Sequence, residues 1–320
     1  MWQPTAAQQR RHIVEVAIGP LCAVATVITC ALGYPVVGGI TGLIAWTSFY
    51  DVVQFRLRRT SEWMASYPVV RDFDTAPDDD RAVSVTLILH QEGVLVLMLI
   101  ALLVLAADSV GVTQYWRGSW DLASSSRPLA VLSRHSLYAT FGVELKDCFD
   151  GTLPLMFWVH HLATFAGLTM CLFVNAGVGL VVIVGIIAEV GSGFYNILAV
   201  WPQSRLCLVA YVVMMNAANA FAAVCLYEML TGVPDLTMPF RAAWATLCIL
   251  LLVLRTGGIV LQLQQRSLCC KGATSPKSAN TEPAKGTSTA TPIDSIGEMP
   301  GTDHVMKGEV ALVDVVVASS

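Results

Sequence analysis

Long apolar windows separated by short polar breaks organise this chain, at about 13–33, 35–54, 83–107, 136–157, 158–175, 177–199, 206–230 and 241–263. A membrane crossing takes about 20 predominantly apolar residues. The pattern therefore predicts an all-α polytopic transmembrane helical bundle of about 7–8 spans. The second window is the weakest, being rich in Gly38, Gly39 and Gly42. Gly38 and Gly42 form a small-xxx-small spacing that lets helix backbones approach closely, as in a close-packed span or a re-entrant piece.

Polar stretches divide the chain into an N-terminal pair of spans with a polar loop (1–80), a main membrane domain (81–265) and a tail (266–320). The loop holds Asp72, Asp74, Asp78, Asp79 and Asp80, without the ordered glycine and glutamate spacing of a calcium loop, so a solvated acidic loop is expected. From about Gly272 the sequence turns rich in Ser, Thr, Pro, Ala and Gly. Such a stretch cannot bury enough apolar surface to fold, and Val315 to Val317 do not change that, so a disordered tail is expected. Arg10 and Arg11 followed by an apolar run and Ala31-Leu32-Gly33 imitate a signal peptide, but Glu15 and Pro20 interrupt the run and its length suits an uncleaved first span. With eight spans, Arg10/Arg11, Arg56/Arg58/Arg59, Arg205 and Arg266/Lys271 share one face, which predicts that this face and the tail are cytoplasmic. Arg117, Arg127, Arg134 and Arg241 count against that orientation.

Composition sharpens the picture. With 55% hydrophobic and 13% charged residues and a mean hydropathy of +0.63, the chain is too apolar for an ordinary soluble domain. The formal charge of −4 resides in loops and tail, and no basic stripe suggests nucleic acid. Six of the nine cysteines, Cys22, Cys30, Cys171, Cys207, Cys225 and Cys248, are scattered through apolar runs like small buried hydrophobes rather than a disulfide or metal set. Cys269 and Cys270 stand just after a span, where S-palmitoylation and two plain interfacial thiols are equally good readings.

The candidate chemistry lies where polar side chains interrupt the apolar windows, because a charged group at a helix centre costs roughly 2.5–3.5 kcal/mol on insertion scales and usually faces a bundle interior. Asp147, His160, His161, Glu189 and Asn196 are such groups. His160 and His161 point about a hundred degrees apart on a helix, and Thr164 follows one turn later, near enough to orient one imidazole. A neutral imidazole keeps one ring nitrogen as base or nucleophile, and a carboxylate beside it restores its charge. Asp147 is the natural carboxylate, on a stripe of Thr140, Glu144, Asp147 and Gly151 that Asp150 extends. Glu189, Ser192, Gly193 and Asn196 share another face, the seventh window adds Asn216 and Asn219, and the eighth places Arg255 near its centre. Arg255 is expected to pair with Glu189 or Glu228 or to reach an interface. A helix-end or packing role is at least as good a reading as chemistry for Thr140, Glu144 and Asp150, interhelical packing is the favoured one for Asn216 and Asn219, and an interhelical hydrogen bond would account for the His pair about as well as chemistry does.

From Gly142 to Asn196 the chain resembles the TLC-domain family of multi-span proteins, which includes TRAM and the ceramide synthases. Three features carry the resemblance: Gly142 followed by Asp147; His160-His161 with Thr164; and Ala188-Glu189 leading through Ser192 and Phe194 to Asn196. It covers about Arg81 to Gln265. Gly193 stands where the family stretch often has proline, and the His-Asp-x-x-Asp run of ceramide synthases is missing. The chain is thus more similar to the smaller TLC-domain-containing proteins, whose roles concern lipid composition. The resemblance implies a helical barrel enclosing a lipid-accessible cavity, in the endoplasmic reticulum or another endomembrane. It implies catalytic roles for His160, His161, Asp147 and Glu189, and substrate-binding roles for Thr164, Ser192, Asn196 and Arg255.

One reading is then an enzyme moving an acyl group from acyl-CoA, as co-substrate rather than bound cofactor, to the amine or hydroxyl of a membrane lipid. One histidine would act as base or acyl carrier, while Asn196 and Ser192 steady the oxyanion or head group. The alternative is a non-catalytic lipid binder that regulates membrane composition. A transporter is the least supported, because no inverted repeat of broken helices is visible. Partners would be membrane lipid and acyl-CoA, with a homo-oligomer left open and no bound cofactor or metal expected.

Overall fold

The computed structural model describes residues 2–32, 34–66, 80–122, 125–150, 155–233 and 235–272. Among them there is no strand, and a single isolated bridge joins Ser119 to Ala176. The helices are α1 (Ala6–Ala31), α2 (Pro35–Thr60), α3 (Arg81–Ile88), a π-helical turn (Leu89–Val94), α4 (Leu95–Ser109), α5 (Val112–Arg117), α6 (Pro128–Asp150), α7 (Leu155–Phe173), α8 (Val178–Val200), α9 (Arg205–Thr231) and α10 (Met238–Gly272). Asp72, Asp74, Asp78, Asp79, Gly151 and the tail beyond Gly272 lie outside the described residues, as do the side chains of Asp150, Cys269 and Cys270.

Six helices are long and apolar enough to cross a membrane: Ala6–Thr29, Val36–Thr60, Arg81–Ser109, Val178–Val200, Arg205–Thr231 and Met238–Gln264. This is a membrane protein. The helices α6 and α7, which carry the His pair and its carboxylates, are not among the six. The helix of the fourth window begins at Pro128 rather than near 136, and the described helices there are Pro128–Asp150 and Leu155–Phe173. Proline suits a helix start, since its fixed φ and missing N–H cost nothing in the first turn.

The middle of the bundle is α8. Of its 18-residue apolar window 56% is buried, against 17–22% for the other five spans. It packs against α3, the π turn, α4, α5, α6, α7 and α9. Its inner residues Leu180, Val182, Ile183 and Ile186 join Leu95, Leu102, Leu129 and Leu137 in the main apolar core. Two of the close approaches that depend on glycine join α2 to α6. A Cβ on Gly142 of α6 would stand 2.6 Å from Trp46 Cβ and 3.0 Å from the Thr47 amide nitrogen of α2, where Thr47 Oγ1 donates to the Gly142 carbonyl at 3.2 Å. A Cβ on Gly42 would stand 2.8 Å from the Tyr138 ring, so one half of the Gly38/Gly42 spacing seats an aromatic side chain of α6.

Gly142→Ala should therefore force α2 and α6 apart and cost about 1–3 kcal/mol, as overpacking does. Gly39→Ala is the control, because its Cβ meets the Tyr138 hydroxyl at an ordinary 3.4 Å. Thermal unfolding of the two variants in one detergent checks the contrast; equal midpoints would mean that the helices do not meet at Gly142.

Candidate functional site

Helices α6 and α7 bring Glu144 against the histidine pair. His161 Nδ1–H donates to Glu144 Oε2 at 2.5 Å, and His160 Nε2 lies 3.8 Å from Glu144 Oε1. One carboxylate thus serves two rings that diverge as adjacent helical residues must, with centroids 5.7 Å apart and planes inclined by 58°. His161 is buried, and its Nε2 has no hydrogen-bond partner among the described residues. His160 is the outer ring, with its side chain 22% exposed. Asp147, the carboxylate expected beside the pair, instead accepts from Lys146 Nζ at 2.8 Å. It sits one turn beyond Glu144 on the same helix.

His160 borders a cavity between α6, α7, α8, α9 and α10. Most of the wall is aliphatic, from Leu180, Val181, Val184, Leu247, Leu251 and their neighbours, with Trp244 and Met229 also on it. The polar exceptions are Ser136, Thr140, His160, Thr164, Glu189 and Arg255. Thr164, expected to orient an imidazole, shares this wall with His160, but the hydrogen bond to the pair comes from Glu144. Of the other expected residues, Glu189 and Arg255 reach the cavity, whereas Ser192 and Asn196 are not part of its wall.

Those two serve a buried network that ties α8 to its neighbours. Asn196 Nδ2 donates to Gln91 Oε1 at 2.8 Å, and Gln91 Nε2 donates to Glu189 Oε2 at 2.8 Å. On the far side, Arg255 Nη1 donates to Ser192 Oγ at 2.6 Å and Arg255 Nε donates to Asn219 Oδ1 at 2.8 Å. Arg255 therefore bonds neutral partners rather than Glu189 or Glu228, and Glu228 is taken by Arg117 at 2.6 Å. Arg255 is 9% exposed, and its Nη2 has no hydrogen-bond partner among the described residues. Gly191 makes room for it, since a Cβ there would stand 2.8 Å from Nη2.

The sequence reading passed over His90, Gln91 and Glu92. They occupy the π-helical turn inside the third span, a widened turn that is found often at functional sites. Gln91 bridges Glu189 and Asn196 as described; His90 is wholly buried, with Nδ1 2.7 Å from the Tyr50 hydroxyl. Glu92 fits because Gly193 has no side chain, a Cβ there colliding with Glu92 Oε1. Three consecutive polar residues inside an apolar window were the signal available for finding them.

In chemical terms the site offers a carboxylate-bound imidazole, a second imidazole on a cavity wall, and a buried guanidinium with a spare donor. One donor atom each from Glu144, His160 and His161 lies within 4.8 Å of the others, a spacing from which a divalent cation could be held after small side-chain shifts. Comparison with protein-family models, with curated proteins and with solved structures finds no match to this chain.

Proposed function

We propose that this chain is a TLC-type lipid enzyme of an endomembrane, with α6 and α7 also crossing the bilayer to complete an eight-helix barrel around the cavity and with the tail on the cytoplasmic side. The observation that carries the reading is the pairing of Glu144 with His161 beside His160, on the wall of an otherwise aliphatic cavity. Buried ionisable groups are costly inside a membrane and persist where they serve transport or chemistry. A cavity this apolar suits an acyl chain.

The reaction is acyl transfer from acyl-CoA to a lipid amine or hydroxyl. His160, at the wall, takes the proton from the acceptor N–H or O–H as that atom attacks the thioester carbonyl. The carbon–sulfur bond breaks, and the CoA thiolate leaves with the proton that His160 returns. Glu144 holds His161 and fixes the orientation of the pair, as a carboxylate does for an imidazole base. Ser192 and Asn196 are bonded into the network, and the proposed reaction gives them no part in it.

Protein in nanodiscs, supplied with labelled acyl-CoA and mixed lipid acceptors, should form product that His160→Ala abolishes. Turnover unchanged in both His160→Ala and His161→Ala would refute the site. The missing His-Asp-x-x-Asp run favours a second reading, a non-catalytic lipid binder, and lipid that copurifies without any turnover would establish it. Turnover lost to a chelator and restored by zinc would replace the general-base step with metal chemistry at Glu144, His160 and His161.

A further inference from the structure

Glu144 presents each of its carboxylate oxygens to a different imidazole. Oε2 meets His161 Nδ1 at 2.5 Å and Oε1 lies 3.8 Å from His160 Nε2, and one donor atom from each residue lies within 4.8 Å of the other two. Zinc bonds of about 2.0–2.2 Å set tetrahedral donors roughly 3.3–3.6 Å apart. The two observed separations fall on either side of that value, so small side-chain rotations reach it. Charge points the same way. The Glu144 side chain is 4% exposed, and among the described residues no lysine or arginine pairs with it. Buried charges are paired or coordinate metals, and a divalent cation would supply the positive charge that two neutral imidazoles do not. Donor chemistry selects the ion: two nitrogens and one oxygen suit zinc and its neighbours in the first transition row, whereas Mg²⁺ and Ca²⁺ take oxygen ligands.

We propose that Glu144, His160 and His161 form a site for a single zinc-class divalent ion, held by the carboxylate, His160 Nε2 and His161 Nδ1, and that its occupancy switches acyl transfer off. The proposal rests on the acyl-transfer reading and adds to it a regulator of the same residues. On binding, the ring proton of His161 passes from Nδ1 to Nε2, which has no hydrogen-bond partner among the described residues. The lone pair of His160 Nε2 goes to the metal and is no longer free to take a proton from the acceptor N–H or O–H. The ion also ties α6, which carries Glu144, to α7, which carries both histidines.

Tag-free full-length protein in nanodiscs is titrated with Co²⁺, a coloured stand-in for zinc. Tetrahedral Co²⁺ on nitrogen and oxygen donors should give visible d–d absorption that saturates at a single ion per chain, without the thiolate charge-transfer band that cysteine ligands would add. Zinc should bleach it. His160→Ala and Glu144→Gln should each weaken Co²⁺ binding by about 100-fold or more, since losing even a supporting partner of a metal ligand costs about 10–100-fold. The two variants alter different helices, so either one decides if the other fails to fold. With labelled acyl-CoA and mixed lipid acceptors, turnover should fall in step with zinc occupancy and return when a chelator removes the ion. No d–d absorption, or absorption kept by both variants, overturns the site and leaves the general-base reading standing. Turnover that needs the metal, or that is unchanged at full occupancy, overturns the switch. If no preparation turns over while the absorption still depends on these residues, the acyl-transfer reading falls and the metal site stands.

Discussion

Glu144→Gln should lower turnover by about 10²–10⁴-fold, the usual contribution of a positioned acid–base group, while the protein still folds. Glutamine fills nearly the same volume and can still accept from His161 Nδ1–H through its amide oxygen, so the 2.5 Å contact is lengthened rather than emptied. What disappears is the negative charge that lets the pair carry a proton between attack and collapse. KM should move little, because neither Glu144 nor His161 is part of the cavity wall. Asp147→Asn provides the contrast. Asp147 is tied to Lys146, whose side chain is fully buried, so its loss should appear chiefly as a lower thermal midpoint, since a buried ammonium has lost an anionic partner. Measuring kcat, KM and midpoint for both variants separates the two carboxylates. A large kcat loss confined to Asp147→Asn would return the orienting role to Asp147 and refute the Glu144 assignment.

That contrast also marks how far the residues could be read without the fold. The long apolar windows became helices because hydropathy is local: α1, α2, α8, α9 and α10 follow from composition along twenty or so residues. The choice between Glu144 and Asp147 is not local. The two are three residues apart and share a stripe, so the partner of the histidines depends on how α6 packs against α7, and no spacing rule encodes that. Arg255 shows the same limit, since Glu228, one of its two expected partners, is held by Arg117 from 111 positions away, while the acceptors it does use come from α8 and α9. Gly142 was legible as part of a motif but not as the point where α2 presses on α6. The candidate site was thus visible as a set of residue types, whereas its internal pairing was decided by helix crossings.

The π-helical turn lay furthest from view and carries the largest structural effect. Gln91 bonds partners 98 and 105 positions away, and replacing it by leucine would strand Glu189 Oε2 and Asn196 Nδ2 together. A buried polar group left without its partner costs about 1–3 kcal/mol, so Gln91→Leu should destabilise the protein by roughly 2–4 kcal/mol once partial rescue by neighbouring groups is allowed. Interhelical hydrogen bonds in membranes average only about 0.6 kcal/mol because the dispersed helices also find partners. The larger figure applies here because one acceptor is a carboxylate and both bonds converge on a single side chain. Asn216→Ala is the reference, since Asn216 is exposed and donates to Val212 of its own helix at 2.7 Å, and it should fall within about 0.5 kcal/mol of the unaltered protein. Thermal midpoints in detergent rank the two. If Gln91→Leu keeps its midpoint yet loses turnover, the turn acts on the chemistry through Glu189 and not on the packing of α8, because only a displaced carboxylate at the cavity wall would then distinguish the variant.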